Sequence, residues 1–111
     1  MARLNYVELP AGDLPATRDF YASAFGWTFT DFAPTYAATT SGDTDIGMQA
    51  DASERPAAPL PVIEVADLEA ALAAVEAAGG AIVKPIRAFP GGRRFHFADP
   101  SGNELAVWQV A

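Results

Sequence analysis

The 111-residue chain contains no cysteine and only one histidine, His96. Disulfides, thiolate metal sites and cysteine nucleophiles are thereby excluded. Cations are scarce as well: seven Lys and Arg face fourteen Asp and Glu, a formal net charge of -7. A non-specific phosphate-backbone binder needs the opposite balance, so nucleic acid is not an expected partner. No apolar run approaches the length of a membrane span, and no membrane partner is expected. The opening residues, MARLNYVELP, lack the apolar segment of a secretory signal, so the expected location is the cytoplasm. What the chain does have is apolar bulk. Half of it is hydrophobic (50%), 11% is aromatic and only 19% is charged, enough for one domain with a real core.

Residues 4–9 alternate as a strand, with Tyr6 and Glu8 on one face and Val7 and Leu9 on the other. A helix starts after Asp13, a good N-cap, with Pro15 in the first turn, where a missing N–H costs nothing. Leu14, Thr17, Phe20, Tyr21 and Ala24 form its expected buried stripe, and Gly26 stops it. Strands are expected at 27–32, 35–40 and 46–50, the last two joined by a Ser41-Gly42-Asp43 turn. Residues 51–61 hold three prolines and read as a linker. The pattern then restarts: a strand at 62–66, an Asp67 N-cap, a helix with Leu68, Leu72, Val75 and Ala78 inward, and a Gly79-Gly80 stop. Strands at 81–84, 94–98 and 104–109 follow, the last pair joined by Asp99-Pro100-Ser101-Gly102-Asn103.

The order is therefore βαβββ, linker, βαβββ. The helix caps and stops recur at one offset of 54 residues, from 13 to 67 and from 26 to 80. This internal repeat is the most informative physical feature of the sequence. It predicts an α+β fold in which module one (1–50) and module two (62–111) form a curved, partly closed sheet around a groove. A groove at a repeat interface is a natural small-molecule site. Val7, Leu9, Phe20, Ile63, Leu72 and Val75 are expected between sheets and helices.

These residues resemble the vicinal oxygen chelate superfamily, which includes glyoxalase I, bleomycin and fosfomycin resistance proteins and extradiol dioxygenases. The resemblance rests on Val7-Glu8-Leu9-Pro10, Asp13-Leu14, Phe20-Tyr21 and Phe25-Gly26-Trp27 in the first half. In the second half it rests on Val65, Asp67-Leu68, Gly79-Gly80 and the run from Phe97 to Asn103. It covers nearly the whole chain and looks nearest to small single-domain members. Enzymes of that family hold a divalent metal with His and Glu from the first and last strand of each module. Carried over by position, those ligands fall on Tyr6, on Leu60 or Val62, on Ala106, and within 46–49, which holds no His or carboxylate. A divalent cation needs several oxygen or nitrogen donors, so no metal and no cofactor are expected.

Alternation puts His96 on the groove face with Tyr6 and Glu8, and Trp108 with Ala106. Tyr6, Glu8, His96 and Trp108 are the expected ligand-binding residues; no catalytic residue can be assigned. His96 is read either as a pocket hydrogen-bonding group or as a histidine satisfied by a neighbouring strand. A displaced metal site of His96 with Glu8 and Glu64 is the sharper reading of those carboxylates. Pairing of the acids with Arg94 or Lys84 is the plainer one. An ionised Glu8 in the cavity would favour a cationic ligand. Trp27 is expected to pack in the core. Lys84, Arg87, Arg93 and Arg94 fall within eleven positions and read as an anion-binding rim or, more simply, as a solvated loop. Gly91-Gly92 precedes no helix and is no phosphate loop.

The function expected is that of a metal-independent binding protein for a small organic molecule, working as a homodimer. One alternative is a lyase- or dioxygenase-type enzyme using His96, Tyr6 and Glu8. The other is a dimerising interaction module with no ligand.

Overall fold

The structure, a computed structural model, describes residues 2–111. Its elements run β1 (Arg3–Pro10), α1 (Leu14–Phe25), β2 (Thr30–Ala33), β3 (Tyr36–Ala38), β4 (Asp45–Gln49), β5 (Leu60–Glu64), α2 (Leu68–Ala77), β6 (Ala81–Phe89), β7 (Gly92–Ala98) and β8 (Glu104–Val110). This is the α+β duplication of βαβββ that the 54-residue offset predicts. The caps explain why the two helices begin and end alike. Asp13 Oδ1 accepts from the Ala16 N–H at 3.0 Å, and Asp67 Oδ1 accepts from Ala70 N–H at 3.0 Å. Gly26 and Gly79 close the helices with φ of 72° and 98°, a region side-chain-bearing residues avoid.

The chain divides into two compact units, Tyr6–Leu60 and the residues up to Asn5 together with Pro61–Ala111. In the Tyr6–Leu60 unit the strand order is β2-β3-β4-β1, with β1 parallel to β4 and Leu9 beside Met48. Ala11, Leu14, Ala37 and Met48 form its buried core, with Leu9, Tyr21 and Phe29 packed around them. In the other unit the order is β5-β8-β7-β6, with β5 parallel to β8 and Ile63 beside Val107. Its core is Leu68, Phe95 and Val107, with Leu72, Val75, Ile82 and Phe97 against it.

Five sequence expectations need correction. Phe20 is 61% exposed and not part of the core. At about 100° per residue, Tyr21 falls near the Leu14 and Thr17 direction while Phe20 lies roughly a quarter-turn away, so the helix buries only one of the two rings. Trp27 is 41% exposed and stacks on Tyr21 and Phe25 at 5.8 and 5.2 Å, outside the core cluster. The strand expected at 27–32 begins at Thr30, and β5 begins at Leu60, inside the proline-rich stretch. Finally, β6 continues through Pro85 to Phe89, because register shifts between Ile82, Lys84 and Arg87 absorb the missing proline donor on this outermost strand.

Candidate functional site

The two faces of β7 and β8 divide the labour. Phe95, Phe97 and Val107 point to α2. Arg93 also lies on that side, where its guanidinium clasps Glu69 of α2, with Nη2 3.0 Å from Oε1. Arg94, His96, Ala106 and Trp108 alternate onto the face turned away from the helix. The register sets Arg94 beside Trp108 and His96 beside Ala106. On the other flank it sets Lys84 beside His96 and Arg87 beside Arg94.

His96 is 2% exposed. Arg94 Nε and Nη2 lie 3.1 and 2.8 Å from its Nε2. A guanidinium has donors only, so Nε2 is the acceptor and the ring proton sits on Nδ1. That proton is donated to Glu104 Oε2 at 2.8 Å. Burial pushes the imidazole below its ordinary range; the Glu104 hydrogen bond opposes this, and the Arg94 and Lys84 charges add to it. His96 is thus a neutral link that holds Arg94 on one side and Glu104 on the other. Trp108 Nε1 points to Asn5 Oδ1 at 3.4 Å, and Asn5 Nδ2 donates to Glu64 Oε1 at 2.8 Å. Phe89 lies 6.3 Å from the Trp108 ring. An open cleft of about 420 Å³ is bounded by Arg3, Glu64, Val65 and Gln109; none of Arg94, His96, Ala106 or Trp108 lines it.

This arrangement has a pH consequence with a definite sign. The imidazole is neutral in both folded and unfolded chains above about pH 6.5. Below that the unfolded chain binds the proton first, so folding stability falls as the pH drops toward the lowered folded pKa. The slope for one proton cannot exceed about 1.4 kcal/mol per pH unit. Asp45, Asp51 and Asp99, all held below the usual carboxylate range by hydrogen bonds, act only at roughly pH 4 and lower. Urea unfolding between pH 7 and 5 should show this decline in the wild type and lose it in His96→Gln. Equal slopes in the two proteins would show that His96 titrates normally.

In the Tyr6–Leu60 unit, Leu9, Ala37 and Met48 face α1. Tyr6, Glu8, Tyr36 and Gly47 therefore alternate onto the opposite face, with Glu8 directly beside Gly47. Glu8 is 3% exposed. The Tyr6 and Tyr36 hydroxyls hydrogen-bond to each other directly over the bare Gly47 backbone. On the helix side, Val7, Trp27, Thr39, Thr44, Asp45 and Ile46 border an open cleft of about 630 Å³. Asp45 shapes its rim by accepting from Thr39 Oγ1, Ser41 N and Gly42 N at 2.7, 2.8 and 3.1 Å.

Of the four expected site residues, the structure puts His96 and Trp108 on one face of one unit, and Tyr6 and Glu8 on one face of the other. His96 does not present a free ring nitrogen: both are engaged within the strand pair. Sequence reasoning missed the roles of Asn5, Tyr36 and Glu104. Asn5 could have been suspected, since a polar residue between apolar strand neighbours needs a partner. Tyr36 and Glu104 carry no such local signal.

The metal positions do not fit a divalent ion. Val62 stands beside Ala106, 4% and 0% exposed, and neither has a ligand atom. The Tyr6 hydroxyl is engaged with Tyr36. The His96 lone pair already accepts from a cation, so the displaced triad loses its only imidazole. Among the described residues, no three His, Asp or Glu side chains are grouped to hold a metal.

Comparison with known proteins agrees with this architecture. The sequence profile of the Glyoxalase/Bleomycin resistance protein/Dioxygenase superfamily matches residues 3–107, and the chain belongs to that superfamily. No curated protein sequence matches it. Among solved structures it is similar to a superfamily member from Vibrio splendidus 12B01 (TM-score 0.75, 15% identity, 98% of this chain and 99% of that one). It is also similar to methylmalonyl-CoA epimerase from Mycobacterium tuberculosis (TM-score 0.75, 17% identity, 97% and 87%). A third is the Mn(II)-bound glyoxalase from Novosphingobium aromaticivorans (TM-score 0.71, 22% identity), of which the match covers 41% against 100% of this chain. At these identities the likeness is one of fold. No helix is long and apolar enough to cross a membrane among the described residues.

Proposed function

We propose that the chain is a metal-independent small-molecule-binding protein of this superfamily. The observation that supports the reading is the His96 row: an indole, a guanidinium and a buried neutral imidazole side by side, with no ligand atom at Val62 or Ala106. A few placed polar groups beside aromatic surface are the make-up of a binding site. The Tyr6, Tyr36 and Glu8 face is the corresponding candidate surface of the other unit. The enzymatic alternative has less support, because His96 would need its Nε2 released from Arg94 to act as a base.

Tryptophan fluorescence tests the reading in a Trp27→Phe background, where Trp108 is the sole reporter. A small-compound panel should contain binders whose affinity falls at least about tenfold in His96→Ala, the loss of one charge-assisted hydrogen-bond link. Glyoxalase turnover should be absent with added Zn, Ni or Mn. Binders indifferent to His96→Ala, or metal-stimulated turnover, would refute the proposal. The reading includes a second copy of the chain as partner, supported by the exposed Phe20, Phe25 and Phe32 rings, each at least 60% exposed. Sedimentation at micromolar concentration should give the dimer mass.

A further inference from the structure

The cleft of about 630 Å³ in the Tyr6–Leu60 unit opens away from the Tyr6 and Glu8 face. Val7 and Ile46, register partners in β1 and β4, alternate to the α1 side and give it an apolar floor. Among the described residues that line it, Asp45 is the one charge. Asp45 Oδ1 accepts from Thr39 Oγ1 at 2.7 Å and Ser41 N at 2.8 Å, and Oδ2 accepts from Gly42 N at 3.1 Å. Partial burial works to raise its pKa, but these hydrogen bonds outweigh it and hold the group below the usual carboxylate range, so it is ionised at neutral pH. All three donors are neutral, so they fix the charge in place without cancelling it. They take three of the roughly four acceptor positions of a carboxylate, which leaves one. The helix α1 also ends here. Gly26, its left-handed cap, is part of the cleft wall. Residues 22–25 before it contain no Lys, Arg or His to answer the negative end of the helix dipole. Trp27 lines the same cleft at 41% exposure, its indole held by stacking on Tyr21 and Phe25. A carboxylate, a helix C-terminus and an indole therefore bring negative potential to one apolar-floored cleft.

We propose that this cleft is a binding site for an organic cation: a protonated amine carried on a small apolar group, the ammonium on Asp45 and the apolar group against Val7, Ile46 and Trp27. It shares no residue with the His96 row and does not rest on the reading of that row. An ammonium brings donors only, and one of them completes the acceptor set of Asp45 in a charge-assisted hydrogen bond. The Thr28 and Thr44 hydroxyls on the wall offer it further acceptors. An anion would meet the Asp45 charge and the helix end with no cation on the wall to receive it. A neutral ligand of the same shape would bury the same apolar surface but gain nothing from the charge. The volume lies within the roughly 300–1,000 Å³ of small-molecule sites.

The test uses three probes of one shape, benzylamine, benzyl alcohol and sodium benzoate, titrated at neutral pH into the Trp108→Phe protein, where Trp27 is the sole tryptophan. Trp27 fluorescence, its indole N–H resonance and the Ile46 amide resonance are followed. Benzylamine, a cation at that pH, should shift all three, and its affinity should fall as ionic strength rises. Benzyl alcohol and benzoate should bind there at least about tenfold more weakly. Asp45→Asn keeps the shape, removes the charge and should weaken benzylamine at least about tenfold. Trp27→Leu, read by the Ile46 resonance, should weaken it several-fold. Asp43→Asn removes the same charge from the same loop outside the cleft wall and should change the affinity by no more than about twofold. If Asp45→Asn fails to fold, Thr44→Lys carries the comparison. It puts a cation on the wall, leaves the three donors to Asp45 in place, and should weaken benzylamine by at least as much. Equal losses in Asp43→Asn and Asp45→Asn would reduce the effect to general charge and overturn the site. Benzoate or benzyl alcohol binding as tightly as benzylamine would overturn the cation class. Benzylamine leaving Trp27 and Ile46 unmoved at millimolar concentration would overturn the proposal outright.

Discussion

Phe95→Ala is expected to lower folding stability by about 3–5 kcal/mol, the range for truncating a fully buried aromatic ring. Phe95 is 0% exposed and sits at the centre of the core under α2, against Leu68 and Val107, with Phe97 6.4 Å away between ring centres. Domains of this size are stable by only about 5–15 kcal/mol, so the loss removes a large share of the total. The thermal midpoint should fall by roughly 15–20 °C. Phe95→Leu, which keeps much of the volume, should cost clearly less. Urea unfolding with an unchanged m-value is the measurement, since a changed slope would mean an altered denatured state. A loss below about 1 kcal/mol in Phe95→Ala would contradict the assignment of β7's helix-facing side. The variant also separates scaffold from site: Phe95 and His96 are adjacent in sequence but belong to opposite faces.

Gly47→Ala should be the most damaging small substitution in the Tyr6–Leu60 unit, at about 2–3 kcal/mol for overpacking a filled site. A Cβ at Gly47 would run into both the Tyr6 and Tyr36 hydroxyls and lie 2.7 Å from Tyr6 Cζ. Gly47 is buried, and its register neighbours on this face are Glu8 and Ala38. The tyrosine pair therefore has to swing away, exposing or displacing Glu8 beside it. Combining Gly47→Ala with Tyr6→Phe and Tyr36→Phe removes the crowding oxygens and should recover part of the loss relative to the phenylalanine background. Thermal unfolding of the four proteins checks it. A Gly47→Ala protein within about 0.5 kcal/mol of wild type would show that the hydroxyls do not occupy the space above Gly47.

Much of the fold was legible from local chemistry. Asp13 and Asp67 announce helix starts because a short carboxylate can reach the free N–H groups of the first turn. Gly26 and Gly79 announce the ends because few other residues adopt a positive φ. Alternation along β7 and β8 separated Phe95 and Val107 from His96 and Trp108, since a strand turns every second side chain to the same side. These signals act over a few residues, and a sequence displays them directly. The errors also have local causes. Phe20 and Tyr21 both fit a loosely spaced stripe, and only the 100° step of a real helix buries one and exposes the other. Pro85 reads as a strand end, and only the bulged ladder with β7 shows that β6 runs on past it.

The candidate site was legible in part. Tyr6, Glu8, His96 and Trp108 could be placed on strand faces, and the lack of a side-chain ligand atom at Val62 and Ala106 is a plain fact of the sequence. Their partners could not. That Arg94 holds Nε2 of His96 while Glu104 takes the Nδ1 proton depends on the register of β7 against β8, eight residues apart in sequence. That Arg87 stands beside Arg94 and Lys84 beside His96 depends on two register shifts in β6. That Tyr36 meets Tyr6 depends on a glycine at position 47 in the strand between them. The sequence by itself determined the duplication, the helix caps and the alternation, because these are set by each residue's backbone preferences and nearest neighbours. The tertiary structure alone decided which charges pair and which ring nitrogen carries the proton, because hydrogen bonds and ion pairs are set by ångström distances between strands, which no run of neighbouring residues encodes.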